Sequence, residues 1–347
     1  MIAAVSGLSS HKQWLWLGAL VCLLPIVLAL NLFLGASELS PMEVIRTLLA
    51  GSGQEHVVRV IWELRLPRAI AAALIGSQLA LAGFMLQSLT RNPLADSGLL
   101  GISAGASLGA VLVVVGAGTL SSGVAVYEQG ESVLASLPAA ALLGGLLSAV
   151  LVYGLSGASA LTPLRLILTG VVCAAILNAL VTGLLGLWGQ AHTETIAAWL
   201  AGSLNGRSWE HLNVLLPWSA LGLLAAILIY RPMRLLRLVD EQALSLGLNL
   251  SLWRLLTIAT ATLLTASAVA VSGPIGFIGL VVPHLAQGFA PGHMALQYLI
   301  TAIAGAVIVL AGDLAGRLVL APYELPVGVL AALIGVPTFL YLLRRQP

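Results

Sequence analysis

Between Ser267 and Gln287 the sequence runs SAVAVSGPIGFIGLVVPHLAQ, an apolar stretch that breaks at Gly273-Pro274 and resumes to a second stop at Pro283-His284. Proline removes a backbone donor and crowds the preceding turn. Gly276 and Gly279 leave bare backbone that a neighbouring helix can approach closely. On a surface in water such a break is unremarked. In a bilayer, unpaired backbone groups are costly, so the break must be a tight turn or broken helix shielded by protein. The stretch therefore points to a packed, polytopic, all-α membrane protein with neighbours on both sides of the break.

Charge scarcity says the same. Only 8% of the 347 residues are charged and 59% are hydrophobic, with mean hydropathy +1.05, whereas soluble domains carry about 25% charged residues. A water-soluble fold is excluded, and a net charge of +2 gives no basis for binding nucleic acid. Thirty-seven glycines in so apolar a chain indicate close helix–helix contacts. Cys22 and Cys173 both lie in apolar runs and are read as small buried hydrophobes rather than a disulfide or metal pair. No metal site is expected.

A span needs about 20 apolar residues. Ten stretches qualify: Trp14–Leu34, Ala69–Leu89, Gly98–Gly118, Leu134–Leu155, Pro163–Trp188, Leu212–Tyr230, Leu255–Gly273, Pro274–Phe289, Ala295–Leu320 and Pro326–Leu343. The first is longer than the apolar core of a signal peptide and is read as an uncleaved span. With the N-terminus in the cytoplasm, nine basic residues fall inside (Lys12, Arg91, Arg165, Arg231, Arg234, Arg237, Arg254, Arg344, Arg345) and six outside (Arg46, Arg59, Arg65, Arg68, Arg207, Arg317). That asymmetry sets the orientation, and an even span count places both termini inside. Glu194–Gly206 is too short to span and reads as a surface helix, with Trp188, Trp199 and Trp209 at interfacial depth.

Several motifs carry chemistry or packing. Gly101, Gly105 and Gly109 form a GxxxGxxxG face, repeated by Gly312 and Gly316, which suits close helix approach. Gly101–Gly105 also spells G-x-S-x-G, but that hydrolase signature needs a strand-to-helix elbow and a base in reach. Here it opens an apolar helix. Walker A requires Gly-Lys, and Lys12 is the sole lysine, so any ATP must be hydrolysed by another polypeptide. Asp240-Glu241-Gln242-Ala243-Leu244-Ser245-Leu246-Gly247 lies in the most basic loop. Asp240 suits an N-cap, Glu241 the positive helix end and Gly247 a helix stop, giving a short surface helix. Asp313 and Arg317 stand four apart and are positioned to pair.

LRLPRAIAAALIG (64–76), NPLADSGLLGISAGASLGA (92–110), SGPIGFIGLVVPH (272–284) and AGRLVLAPYELPVGVLAALIGVPTFLYLL (315–343) together resemble the FecCD-type permeases of bacterial ABC importers, which carry ferric siderophores, haem or vitamin B12. The resemblance covers nearly the whole chain from the second span onward. It implies the type II importer architecture: one permease domain over residues 1–347 with ten spans and short coupling helices, in the bacterial inner membrane. It implies a second permease subunit (a copy or a paralogue), two cytoplasmic ATPase subunits that use ATP-Mg, and a periplasmic binding protein. This chain itself would bind no cofactor and would be no enzyme. By the same resemblance Arg65, Arg68 and Arg317 receive acidic residues of the binding protein. Asp240, Glu241, Ala243, Leu244 and Gly247 belong to the coupling helix. Asn92, Leu94, Leu161 and Thr162 correspond to the cytoplasmic gate, where Pro163 departs from the family pattern. Asn178, Thr182 and Thr338, picked for polarity alone, are the pathway candidates. The expected cargo is a ferric siderophore. The competing class is an ion-coupled secondary transporter working without an ATPase, which would place interacting carboxylates or histidines near mid-membrane.

Overall fold

The computed structural model describes residues 10–35, 39–50, 54–120, 126–157, 163–188, 197, 199–321 and 323–345. Among these, every regular element is a helix. We number the α-helices α1 (Ser10–Phe33), α2 (Pro41–Ala50), α3 (Glu55–Val58), α4 (Leu66–Thr90), α5 (Ile102–Leu120), α6 (Val126–Leu155), α7 (Pro163–Trp188), α8 (Trp209–Leu236), α9 (Asp240–Ser245), α10 (Leu250–Ser272), α11 (Ile278–Phe289), α12 (Met294–Leu318) and α13 (Val327–Arg345). Each of the ten apolar stretches lies on one of these helices. Seven are long and apolar enough to cross a membrane: Lys12–Phe33, Glu55–Thr90, Ser136–Leu155, Leu164–Leu187, Trp209–Leu236, Leu250–Ser272 and Met294–Leu318. The remaining three, Ile102–Gly116, Ile278–Phe289 and Val327–Tyr341, are apolar but shorter. Leucines and isoleucines stand exposed along α6, α7 and α8, among them Leu147, Leu187 and Leu228. Side chains of this kind face hydrocarbon, not water.

Two compact units make up the chain, residues 1–81, 202–217 and 275–347 in the first, and 82–201 and 218–274 in the second. In the first, α1 packs along α12, and α11 lies against α12 and α13. In the second, α5 packs along α6, with α10 against α6 and α7 against α5. Glycine decides both assemblies. A Cβ added at Gly144 would lie 2.3 Å from the carbonyl oxygen of Gly105, and one at Gly109 2.3 Å from that of Ala140. The α5–α6 seam is therefore backbone on backbone, as the 101/105/109 spacing predicts. The first unit has its own seam, which the spacing does not announce: a Cβ at Gly76 on α4 would meet Gly305 O of α12 at 2.2 Å.

The break predicted at Gly273-Pro274 is present. Helix α10 ends at Ser272, Gly273 takes φ +72°, and Phe277 takes the left-handed φ +67° before α11 begins. The Ser272 hydroxyl donates to Ala268 O (2.9 Å) and Gly273 O (2.8 Å), satisfying carbonyls at the helix end. The second stop is corrected. Pro283 sits inside α11, which continues to Phe289. Pro283 is the sixth residue of this helix and withdraws one hydrogen bond, while the neighbouring turns retain theirs. Cys22 is also corrected. It is exposed on α1, whereas Cys173 is buried as expected.

A seven-residue π-helix, Arg59–Arg65, joins α3 to α4. Its position has a local cause. Pro67, at the start of α4, lacks an N–H and crowds the carbonyl four residues back, and a widened turn relieves that crowding. The Leu66 N–H bonds to Ile61 O, five residues back. Of Glu194–Gly206, positions 194–196 and 198 lie outside the described residues. Trp199 is buried within the protein, and Trp209 Nε1 donates to Trp62 O at 2.6 Å.

Candidate functional site

Two polar constellations stand out in an otherwise apolar molecule, one in each unit. The first is built on α1, α4 and α12. The Arg68 fork reaches two carboxylates: Nε and Nη2 donate to Asp313 Oδ1 (3.0 and 2.8 Å), and Nη2 and Nη1 donate to Glu324 Oε2 (2.9 Å) and Oε1 (3.3 Å). The Asp313 side chain is fully buried, that of Arg68 is 12% exposed, and that of Glu324 is 27% exposed. Arg317 Nε lies 3.3 Å from Asp313 Oδ2, an ion pair without hydrogen-bond geometry. Its Nη2 donates to Asn31 Oδ1, and Asn31 Nδ2 donates to Val27 O (2.9 Å) and Leu310 O (3.2 Å). Arg65 Nη1 donates to Leu32 O (2.7 Å) and Phe33 O (3.0 Å), at the end of α1.

These contacts revise the expectation of three arginines offered outward. Arg65 and Arg317 are buried and turned into the chain, because a guanidinium at a helix end in apolar surroundings must find acceptors close by. Arg68 alone keeps part of its fork at the surface, shared with the half-buried Glu324. The Asp313–Arg317 pair is present as the spacing indicates. Asn31 and Glu324 escaped the sequence reading, although an isolated Asn inside an apolar span is itself a signal. Arg207, an outer-loop charge by sequence, is drawn into the same region. Its Nη1 approaches His211 Nε2 at 3.2 Å, and burial, then the charge of Arg68, bring its guanidinium down to about 10.

The second constellation surrounds α9. Asp240 is not its N-cap. Val239 holds that place without a side-chain bond, and Asp240 is the first helical residue. Its carboxylate is taken up from outside the helix: Oδ1 accepts from Arg254 Nη2 (2.7 Å) and Arg91 Nη2 (2.5 Å), and Oδ2 from Arg254 Nη2 (2.8 Å). Burial acts to raise this carboxyl, but the hydrogen bonds and charges of Arg254 and Arg91 outweigh it and hold it below the usual value of 3.8. With the folded value depressed, the clamp persists above the ordinary carboxylate range and is lost only as pH falls below it. The helix ends as its sequence predicts. Gly247 takes φ +80°, its N–H bonds to Leu244 O (2.9 Å), and Leu248 N–H bonds to Ala243 O (3.1 Å). This is a Schellman stop that only a residue at ease with positive φ closes without strain. Ala243 and Leu248 are buried beneath, while Glu241, Val239, Leu244 and Leu246 are exposed, Leu244 at 56%.

The remaining candidates fall into less committed surroundings. Asn92 forms a turn after α4, its Oδ1 accepting from Leu94 N–H at 2.9 Å. Leu161 and Thr162 lie outside the described residues. Asn178 and Thr182 are exposed on α7, with the Thr182 hydroxyl donating to Asn178 O (3.0 Å). Thr338 lines a cavity of about 420 Å³ bounded by α11, α12 and α13 together with Phe277, Val281, Ile308, Ala315 and Leu330. Its hydroxyl is spent on Ile334 O (2.7 Å), so it presents an apolar wall. G-x-S-x-G follows a 3-10 turn, Ser97–Leu100, not a strand. No group of three His, Cys, Asp or Glu that would hold a metal ion occurs among the described residues.

The FecCD transport family matches residues 23–345. The Fe(3+)-citrate import system permease protein YfmD of Bacillus subtilis is 33% identical over 339 residues, covering 97% of this chain and 96% of the relative. The ferric enterobactin transport system permease protein FepD of Escherichia coli is 37% identical over 342 residues, covering 99% and 98%. A solved metal-chelate type ABC transporter in an inward-facing conformation aligns with TM-score 0.79 and 30% identity, over 95% of this chain and 98% of that one. An all-helical, apolar chain with these motifs, matched from end to end by permeases of import systems, belongs to the FecCD transport family of ABC-importer permeases.

Proposed function

We propose that this chain translocates a ferric siderophore across the bacterial inner membrane as one of two permease subunits. Two cytoplasmic ATPases supply the work, and a periplasmic binding protein delivers the load. The observation that carries this reading is α9. A six-residue helix in the chain's most basic loop exposes Val239, Leu244 and Leu246 beside Glu241, and exposed apolar groups of this kind mark a protein interface. The basic loop is cytoplasmic by the positive-inside rule, which puts both termini inside and gives ten membrane-embedded helices. The two compact units are interleaved along the sequence, which favours a single permease domain over residues 1–347.

Binding-protein docking then falls chiefly to Arg68, with Arg65 and Arg317 buttressing it from within. Asn92 and Leu94 would stand at the cytoplasmic gate with the 161–162 segment, and Asn178, Thr182 and Thr338 near the pathway. Iron(3+) chelates are favoured as cargo because the relatives named above import ferric citrate and ferric enterobactin; haem and vitamin B12 come next. An ion-coupled carrier would need carboxylates at work within the membrane. Asp313, the buried carboxylate of α12, is already held by Arg68 and Arg317.

Reconstitution separates the readings. Vesicles holding the permease, its ATPase and a binding protein loaded with iron-55-labelled ferric enterobactin should accumulate iron only with ATP inside the ATPase compartment. Accumulation by the permease alone, driven by an ion gradient, would overturn the importer assignment. Uptake of haem but not of the siderophore would change the cargo and leave the mechanism.

A further inference from the structure

Helix α9 is too short to hold itself in place, since a single turn or two does not repay its nucleation. Its position is set by what ties it down. Arg91, the residue that follows α4, donates through Nε to Leu236 O (3.1 Å) and through Nη2 to Asp240 Oδ1 (2.5 Å). Arg254, near the start of α10, grips the same carboxylate through both of its oxygens. Arg237, just before α9, donates to Ser88 Oγ of α4 (3.1 Å) and lies over the Phe84 ring, 4.9 Å from its centroid. Arg91 also holds a left-handed backbone, φ +53°, which a non-glycine residue adopts only where its surroundings insist.

We propose that Arg91 and Arg254 are positioning residues for energy coupling. Through the shared Asp240 carboxylate they transmit displacement of α9 to the ends of α4 and α10. This rests on the reading that α9 receives the ATPase. One carboxylate held by two guanidiniums fixes the distances between three segments while leaving them free to swivel about Asp240. Charge-assisted bonds of this type are short and directional. The Asp240 side chain is 39% exposed and that of Arg91 29%, with Arg254 more enclosed at 10%, and a pair as open to water as Asp240–Arg91 adds little to stability. What they fix is geometry. Leu244 and Leu246 take the push, and the clamp passes it on.

The test uses the assembled transporter in proteoliposomes, reading binding-protein stimulation of ATP hydrolysis and co-purification of the ATPase. Arg254→Asp and Arg91→Gln should keep the ATPase bound but lose stimulation at least tenfold. Arg254→Lys and Arg91→Lys, which keep a cationic donor facing Asp240, should retain a substantial part of it, a dependence on charge that a general loss of fold would not show. Leu244→Asp should release the ATPase altogether. Full stimulation in both arginine variants, with Leu244→Asp still releasing the ATPase, would overturn the clamp and leave the α9 reading standing. An ATPase that stays bound and coupled in Leu244→Asp would remove both. Thermal midpoints of the arginine variants within a few degrees of the parent are the expected control; a collapse of the midpoint in Arg254→Asp and Arg91→Gln alike would make the clamp structural and overturn the proposal.

Discussion

Arg68 shows how much one side chain can organise when water is scarce. Its guanidinium is the meeting point of α4, α12 and the segment before α13, and it faces a carboxylate, Asp313, with no exposure of its own. Removing one partner of a buried pair costs about 3–5 kcal/mol. Arg68→Ala should therefore lower the thermal midpoint in detergent more than Asn31→Ala, which deletes hydrogen bonds worth about 1–3 kcal/mol. Arg59→Ala, removing a pair whose members are 75% and 61% exposed, should leave the midpoint nearly unchanged. An Arg59 effect equal to that of Arg68 would refute the burial argument. At this scale the sequence is legible for what a residue is and silent about whom it meets. Arg65, Arg68, Arg317 and Asp313 declare themselves as charges in apolar company. Asn31 and Glu324 become their partners only because the chain returns after 286 and 256 residues. Asp240 fails the same way: a good N-cap by type, it is claimed by arginines that local spacing cannot see.

Elements were read more fully than contacts, because their causes are local. Apolar run length sets the helices, and Gly273-Pro274 sets the break. Gly247 sets the stop of α9, and the 101/105/109 stripe sets the α5 seam. Pro283 misled the reading because a proline costs one hydrogen bond, and a helix embedded in apolar surroundings has nowhere better to put the rest. The Gly76–Gly305 seam was missed because neither glycine belongs to a four-residue stripe: Gly83 stands seven residues from Gly76, and Gly312 seven from Gly305. Its consequence can be measured alongside the predicted seam. Gly144→Ala would drive a methyl to 2.3 Å from Gly105 O and should cost about 1–3 kcal/mol as α5 and α6 part. Gly183→Ala on α7, where a Cβ meets nothing within 4 Å, should be neutral or slightly stabilising. Equal midpoints for the two variants would deny that the seam is backbone-tight.

The whole molecule is an apolar object with polar fittings, and its orientation follows from which fittings face which compartment. A cysteine placed at Ser245 on the exposed side of α9, with Cys22 and Cys173 replaced by Ala, should react with an impermeant maleimide in inside-out vesicles and be protected in intact cells. Labelling from outside the cell would invert the topology and with it the assignment of α9 to the ATPase side. The membrane class and family were plain from composition and motifs. The cargo was not, because selectivity for a transported solute lies in surfaces that no short motif spells.

The π-helical turn at Arg59–Arg65 has a last consequence for how such chains vary in length. A π turn carries one more residue than an α-helical path of similar rise. Losing that residue would return the segment to ordinary winding and swing α3 by about 100° about the helix axis. Everything from Pro67 onward, the Arg68 network included, would keep its phase. Among kindred sequences that lack a proline at the place of Pro67, this is where a one-residue gap can open and leave the downstream phase intact.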